Sequence, residues 1–243
     1  MENAHYFLHV TDTHLCFDAE APDICCTEQA LRSLYQTAFA WDHRPAFVLI
    51  TGDLVHEGTS ADYARAKTLL QELDEQYHTK TYPALGNHDN RENFNSAFRE
   101  QASDQPVDYC VQNEWLRWIV LDSSCGQVIG QLSGSQLAWL EQELCDPTDC
   151  PTILALHHPV YGTTTAETDA NNLATPDRLI RLLQDHPVDG ILCGHSHEAT
   201  LVTEQGLPPQ FVGAGAASAA LPLIQGRVQF RKQCWIQFCR VQD

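Results

Sequence analysis

Eight side chains able to bind a divalent cation stand in five short clusters along the 243-residue chain. They are Asp12 and His14 in Asp12-Thr13-His14, Asp53 in Gly52-Asp53, Asn87 and His88 in Gly86-Asn87-His88-Asp89, one histidine of the pair His157-His158, and His195 and His197 in Gly194-His195-Ser196-His197. Carboxylate and amide oxygens mixed with imidazole nitrogens suit iron, manganese, zinc or cobalt. Each cluster follows an apolar run of the kind that makes a buried strand, and open α/β sheets hold ligands at strand ends. Five clusters so placed read as one site.

Singly, each cluster says less. An Asp-x-His triplet after a strand puts two ligands on one side of the chain, because side chains two apart share a face. Gly52 permits a sharp turn and leaves the Asp53 carboxylate free to bridge two ions. Asn87 offers a neutral oxygen, His88 a proton, and Asp89 a carboxylate that can fix the His88 tautomer from behind. A lone histidine is more often a surface or hydrogen-bonded core residue than a ligand, and His5, His9, His43, His56, His78 and His186 take that reading. His56 and Tyr161 also lie close enough to the clusters to line a substrate pocket, and His158 either lines it or packs beneath it.

The elements that must position these groups alternate. Strands are predicted over Tyr6–Val10, Ala46–Ile50, Thr81–Leu85, Val107–Gln112, Leu116–Leu121, Thr152–Leu156 and Gly190–Cys193. Helices are predicted over Thr27–Trp41, from a Ser60 cap to about Tyr77, over Asn93–Gln101, from Ser133 to Leu144, and from a Thr175 cap to about Gln184. After Ala199 the pattern turns to short β segments at Leu201–Thr203, Gln210–Val212, Val228–Phe230 and Trp235–Val241. Early βαβ units followed by a β-rich tail imply two packed sheets flanked by helices, in one domain over residues 1–243. The run from Gly213 to Ser218 imitates a dinucleotide-binding loop, but no long helix follows it and Pro222 comes soon after, so it reads as a turn.

Bulk properties narrow the function. A formal charge of −18 repels polyanions, which argues against DNA, RNA or an anionic membrane as partner. No apolar run is long enough to span a bilayer, and no basic segment followed by an apolar one opens the chain, so a cytoplasmic location is expected. The ten cysteines include no C-x-x-C pair and read as reduced, mostly buried small hydrophobes.

The ordered set D-x-H, G-D, G-N-H-D, H-H-P and G-H-x-H, from Asp12 to His197, resembles the calcineurin-like metallophosphoesterases. Thr11-Asp12-Thr13-His14-Leu15, Leu121-Asp122-Ser123 and Leu132-Ser133 followed by Gln136-Leu137-Ala138-Trp139-Leu140 are similar to the bacterial class III cyclic-nucleotide phosphodiesterases of that family. The resemblance implies a four-layer αββα sandwich of two mixed β-sheets, and a centre of two divalent ions. One ion would take Asp12, His14, Asp53 and His197; the other would take Asp53, Asn87, His157 and His195, with Asp53 and a hydroxide bridging. His88 becomes the acid, leaving seven ligands. Two dications against two carboxylates and one hydroxide leave a local charge of about +1, enough to draw a phosphoester into an acidic protein.

The expected activity is hydrolysis of a small phosphodiester, a 3′,5′-cyclic nucleotide such as cAMP first. A glycerophosphodiester, a nucleoside-diphosphate derivative or a phosphomonoester would use the same site. Only about forty-five residues follow the last ligand, where relatives carry segments that cover the pocket or form homodimers. A non-catalytic interaction scaffold is the reading from another class, and the filled ligand positions argue against it.

Overall fold

The computed structural model describes residues 5–17, 27–162, 170–216, 223–229 and 234–241. Eleven strands and five helices lie within them. In chain order they are β1 (His5–Val10), α1 (Thr27–Phe39), β2 (Val48–Thr51), α2 (Ser60–Tyr77), β3 (Thr81–Ala84), α3 (Arg91–Arg99), β4 (Tyr109–Gln112), β5 (Arg117–Val120), α4 (Gly134–Cys145), β6 (Thr152–Ala155), α5 (Asp177–Asp185), β7 (Gly190–Cys193), β8 (Thr200–Val202), β9 (Gln210–Val212), β10 (Leu223–Gln229) and β11 (Cys234–Val241).

The strands form two mixed sheets, ordered β10-β11-β1-β2-β3 and β4-β5-β6-β7-β9-β8. β11, β1, β2 and β3 run parallel, as do β5, β6, β7 and β9, while β10, β4 and β8 pair antiparallel at the edges.

Period-two alternation on the buried strands explains the layering. Leu8, Val48 and Ile50 turn one way and pack with Leu31, Tyr35, Leu69 and Leu73 of α1 and α2. Phe7 and Leu49 turn the other way and meet Trp118, Val120, Ile153, Ala155 and Leu192 of the second sheet. Ile119, Leu154 and Ile191 face outward again, onto Leu137 and Leu140 of α4 and Leu179 and Leu183 of α5. Three apolar clusters thus fill the three interfaces of an αββα sandwich, as expected.

The helix starts differ from the predicted ones in detail. Thr59, not Ser60, caps α2: its side chain accepts from the Asp62 amide while the Asp62 carboxylate accepts from the Thr59 amide. Pro176, not Thr175, occupies the cap position of α5, with no side-chain cap bond, and Asp177 supplies negative charge to the first turn. Ser133 caps α4 as expected.

Cys16, Cys110, Cys125, Cys145, Cys150 and Cys193 are free thiols, yet of these six only Cys193 is buried, and Cys125 and Cys145 are exposed, which corrects the expectation of mostly buried cysteines. Cys25 and Cys26 lie outside the described residues. From Gly213 to Ala216 the chain runs alongside the first cluster: the Gly213 amide donates to the Cys193 carbonyl and the Ala216 amide to that of Thr11. The next described element is the strand β10, not a helix. No described helix is long and apolar enough to cross a membrane.

Candidate metal centre

The five clusters follow the carboxyl ends of β1, β2, β3, β6 and β7, so both sheets deliver them to one edge of the sandwich. The parallel ladder of β1 and β2 continues into the loops: the Asp12 amide donates to the Gly52 carbonyl, that of His14 to Asp53, and that of Leu15 to Leu54. Across the second sheet, the Gly194 amide donates to the His157 carbonyl at 2.9 Å.

The loops turn unusually. Asp12, His14, Asp53, His195 and His197 all have φ between 39° and 75°, the left-handed region that side chains avoid. The only other non-glycine residues with positive φ among those described, His78 and Glu100, end helices, where such a turn is ordinary. Strained backbone of this kind costs of order 1–3 kcal/mol per residue and concentrates where a site needs it.

Two glycines make room. A Cβ on Gly194 would lie 1.8 Å from the Thr11 Oγ1, and one on Gly52, whose φ is +92°, would lie 2.4 Å from His157 Nδ1. No larger residue fits at either position.

Within this frame the ligand atoms converge. His197 Nε2 lies 3.1 Å from Asp12 Oδ1 and 3.3 Å from His14 Nε2. His14 Nε2 lies 3.5 Å from Asp53 Oδ2, and His157 Nε2 lies 3.4 Å from the same oxygen and 3.1 Å from Asn87 Oδ1. The His195 ring sits 5.0 Å from that of His157, and its amide donates to both Asp12 oxygens. Asp12, Asp53, His14 and His157 are buried, Asn87 and His195 half-buried, and His88 and His197 exposed.

Neighbouring polar groups set the orientations. His157 Nδ1 donates to the Thr51 carbonyl at 2.9 Å, which fixes the ring with Nε2 directed at Asn87 and Asp53. Thr11 donates from Oγ1 to Asp12 Oδ2 at 2.6 Å. Sequence reasoning misses Thr11 and Thr51, although each sits directly before a cluster. His158 is buried beneath the site. Its Nε2 donates to the Val128 carbonyl and its Nδ1 accepts from Ser123 Oγ, so both ring nitrogens are engaged and it lines no pocket.

Two further expectations change. Asp89 does not reach the His88 ring; His88 Nδ1 instead donates to the His56 carbonyl at 2.9 Å. The Asp89 carboxylate is buried and accepts from the amides of Leu54, Val55 and Gly86 and from the Tyr63 hydroxyl, which ties the second and third clusters together. Burial and the neighbouring Asp53 push its pKa up to about 7. Tyr161 packs into the cluster beneath α4 and α5 and is turned away from the solvent. His56 stays at the rim, its ring stacked 5.1 Å from that of His88. His9, one of the histidines read as ordinary, is a buried core residue held to Thr51 Oγ1 at 2.8 Å.

The electrostatics call for cations. Burial alone would raise the Asp53 pKa, but His157, His14 and the His88 amide hold it low, and His197 and His157 likewise outweigh burial at Asp12. Burial pushes His14 and His195 down to about 4, so these rings stand as neutral donors. Burial also lowers His157, yet the carboxylates of Asp53 and Asp12 outweigh it and bring the ring to about 9. Among the described residues, the ion-pair partners of the two buried carboxylates are imidazoles alone. Buried negative charge with only imidazole partners is what divalent ions neutralise. Asp12, His14, Asp53 and His197 form one compact donor set, and His157 and His195 meet in another with His158, whose ring nitrogens are already engaged by Ser123 and Val128.

Comparison with known proteins agrees. A probable cyclic nucleotide phosphodiesterase of Rhodococcus erythropolis is 36% identical over 206 residues, covering 84% of this chain and 68% of its own length. A cAMP/cGMP dual specificity phosphodiesterase of Mycobacterium tuberculosis is 31% identical over 230 residues, covering 93% of this chain and 72% of its own. A dimetal phosphatase from Danio rerio superposes with a TM-score of 0.72 over 99% of this chain and 100% of its own, at 14% identity, so it speaks to the fold. The family description Calcineurin-like phosphoesterase matches residues 5–199, and with that match the chain belongs to the calcineurin-like phosphoesterases, hydrolases of phosphoesters.

Proposed function

We propose that this chain hydrolyses a small phosphodiester, a 3′,5′-cyclic nucleotide first among them, at a centre of two divalent ions. Asp12, His14, Asp53 and His197 would hold one ion, and Asp53, Asn87, His157 and His195 the other. One observation carries this division: Asp53 Oδ2 lies 3.5 Å from His14 Nε2 and 3.4 Å from His157 Nε2, one imidazole of each set. A single carboxylate oxygen between two imidazole nitrogens suits a shared ligand.

When bound, the two ions supply Lewis acidity toward the phosphoryl oxygens and acidify water for in-line attack. The chain's own residues do the rest. Asp12 and Asp53 are fixed by main-chain amides and by Thr11 before any ion arrives, so the site needs little reorganisation. His88 donates through Nδ1 to the His56 carbonyl, which leaves Nε2 on the exposed side. A proton on Nε2 is the one His88 delivers to the leaving oxygen. The sequence resemblance to two cyclic-nucleotide phosphodiesterases supports that substrate class.

The test is an assay of the purified chain with manganese, with and without chelator. Cyclic AMP, cyclic GMP, glycerophosphoethanolamine, ADP-ribose and simple monoesters are compared by kcat/KM. Cyclic nucleotides should lead. A lead for glycerophosphoethanolamine or ADP-ribose would overturn the substrate, a lead for monoesters the diesterase reading, and turnover indifferent to chelator the metal reading.

A further inference from the structure

The rim of the site holds a histidine that neither ligand set uses. His56 lies three residues after Asp53 and half-buried beside His14 and His88. The three rings pack together, with centroids 5.5 Å apart for His14 and His56, 4.7 Å for His14 and His88, and 5.1 Å for His56 and His88.

With His14 Nε2 as a ligand, the nitrogen contacts allow one consistent assignment of protons. His14 Nε2 faces Asp53 and His197, so its lone pair belongs to the ligand cluster and its proton must sit on Nδ1. That Nδ1 lies 3.4 Å from His56 Nδ1. Two imidazole nitrogens form a hydrogen bond only if one is bare, so His56 Nδ1 must be the acceptor and its own proton must sit on Nε2. His56 Nε2 in turn lies 3.4 Å from Glu57 Oε1, a group that accepts. Every donor then meets an acceptor in one direction, from His14 to His56 to Glu57. The His56 main chain does a parallel service, since its carbonyl accepts from His88 Nδ1.

We infer that His56 is a positioning residue that fixes the metal-binding tautomer of His14 through its ring, while its carbonyl fixes that of His88. The inference rests on His14 being a ligand, as proposed above. A third ion held by His14, His56 and His88, whose nitrogens also cluster, is disfavoured by the same bookkeeping of protons. His14 would then need both nitrogens bare, as an imidazolate.

The test titrates the metal-free full chain with cobalt(II), following the visible d–d bands and competing with a chelator. His56→Leu removes the acceptor and should weaken the ion held by His14 by roughly 10–100-fold, the usual effect of losing such a partner. The other ion should be little changed. His56→Asn places an amide oxygen near the lost nitrogen and should restore affinity to within about threefold. If the Leu variant does not fold, His56→Ala carries the same expectation.

Equal affinity in wild type and His56→Leu would overturn the inference, as would an Asn variant as weak as Leu or Ala. A third equivalent of cobalt bound by wild type and lost in His56→Leu would also overturn it, by making His56 a ligand. A wild type binding one equivalent would overturn the two-ion reading alone; the His56 variants still decide the inference on that ion. A wild type that binds no cobalt overturns both.

Discussion

The floor and the rim of the site are built on different principles. On the floor, Asp12 and His157 are wholly buried, and Asp53 and His14 nearly so, each held by main-chain hydrogen bonds that continue the sheets or by close side-chain contacts. On the rim, His88 is open to solvent and stands in neither ligand set, whereas His197 belongs to one although 51% of its side chain is exposed. Buried charge in a rigid frame suits ions that stay; an exposed imidazole outside the ligand sets suits contact with a substrate that comes and goes. Changes to the floor should therefore disturb metal, activity and fold together, and changes at the rim should separate them.

The largest effect should come from the floor. Asp53→Ala removes the oxygen between His14 and His157 and should abolish nearly all turnover, on the order of 10³-fold or more, with loss of both ions. Elemental analysis of the purified variant checks it; full metal content would refute the bridging role. His88→Ala tests the rim. It should keep both ions and lower kcat by roughly 10²–10⁴-fold. An unchanged kcat would remove His88 from the mechanism, and a loss of metal would erase the contrast between floor and rim.

Much of this contrast is legible in the chain's residue order. The strand ends, the sequence of the clusters and the αββα layering all follow from apolar runs, ligand chemistry and family resemblance. What escapes is local. The left-handed backbone at Asp12, His14, Asp53, His195 and His197 leaves no sequence sign, because none of the five is glycine. Tyr161 sits two residues after the proline of H-H-P, yet its direction depends on packing beneath α4 and α5 that no motif encodes. Adjacency in the chain suggests Asp89 as the support behind His88. In fact the two side chains diverge at that turn, and the buried carboxylate serves amides of the loops after β2 and β3.

That service makes Asp89 a test of how far the floor depends on its supports. In Asp89→Asn one accepting oxygen becomes a donor, facing amides or a hydroxyl that also donate. The metal-free variant should lose about 1–3 kcal/mol of stability, measured by urea unfolding. Tyr63→Phe, which removes one donor to the carboxylate and the acceptor of the Asn90 amide, should lose about 1–2 kcal/mol. A stable Asn variant would mean that the loops after β2 and β3 are held by the ladder alone.

The effect that is smallest at neutral pH lies one layer deeper and grows only on acidification. His9 is buried under the first cluster with its ring on Thr51, and burial lowers its pKa to about 4 against the opposing pull of Asp12. In the unfolded chain an imidazole titrates near 6.5. Between those values the unfolded chain takes up a proton that the folded one refuses, so this contribution is whole above about pH 6.5 and shrinks as the pH falls toward 4. By pH 5 the loss from His9 should reach about 2 kcal/mol. His14 and His195 are lowered in the same direction in the metal-free protein, so the wild-type slope alone does not isolate His9. Comparing urea midpoints of metal-free wild type and His9→Gln at pH 7 and pH 5 does, because the shared histidines cancel. The wild type should lose more stability over that interval. Equal losses would mean that His9 takes up its proton inside the fold, and that the support beneath the floor is less dry than its burial indicates.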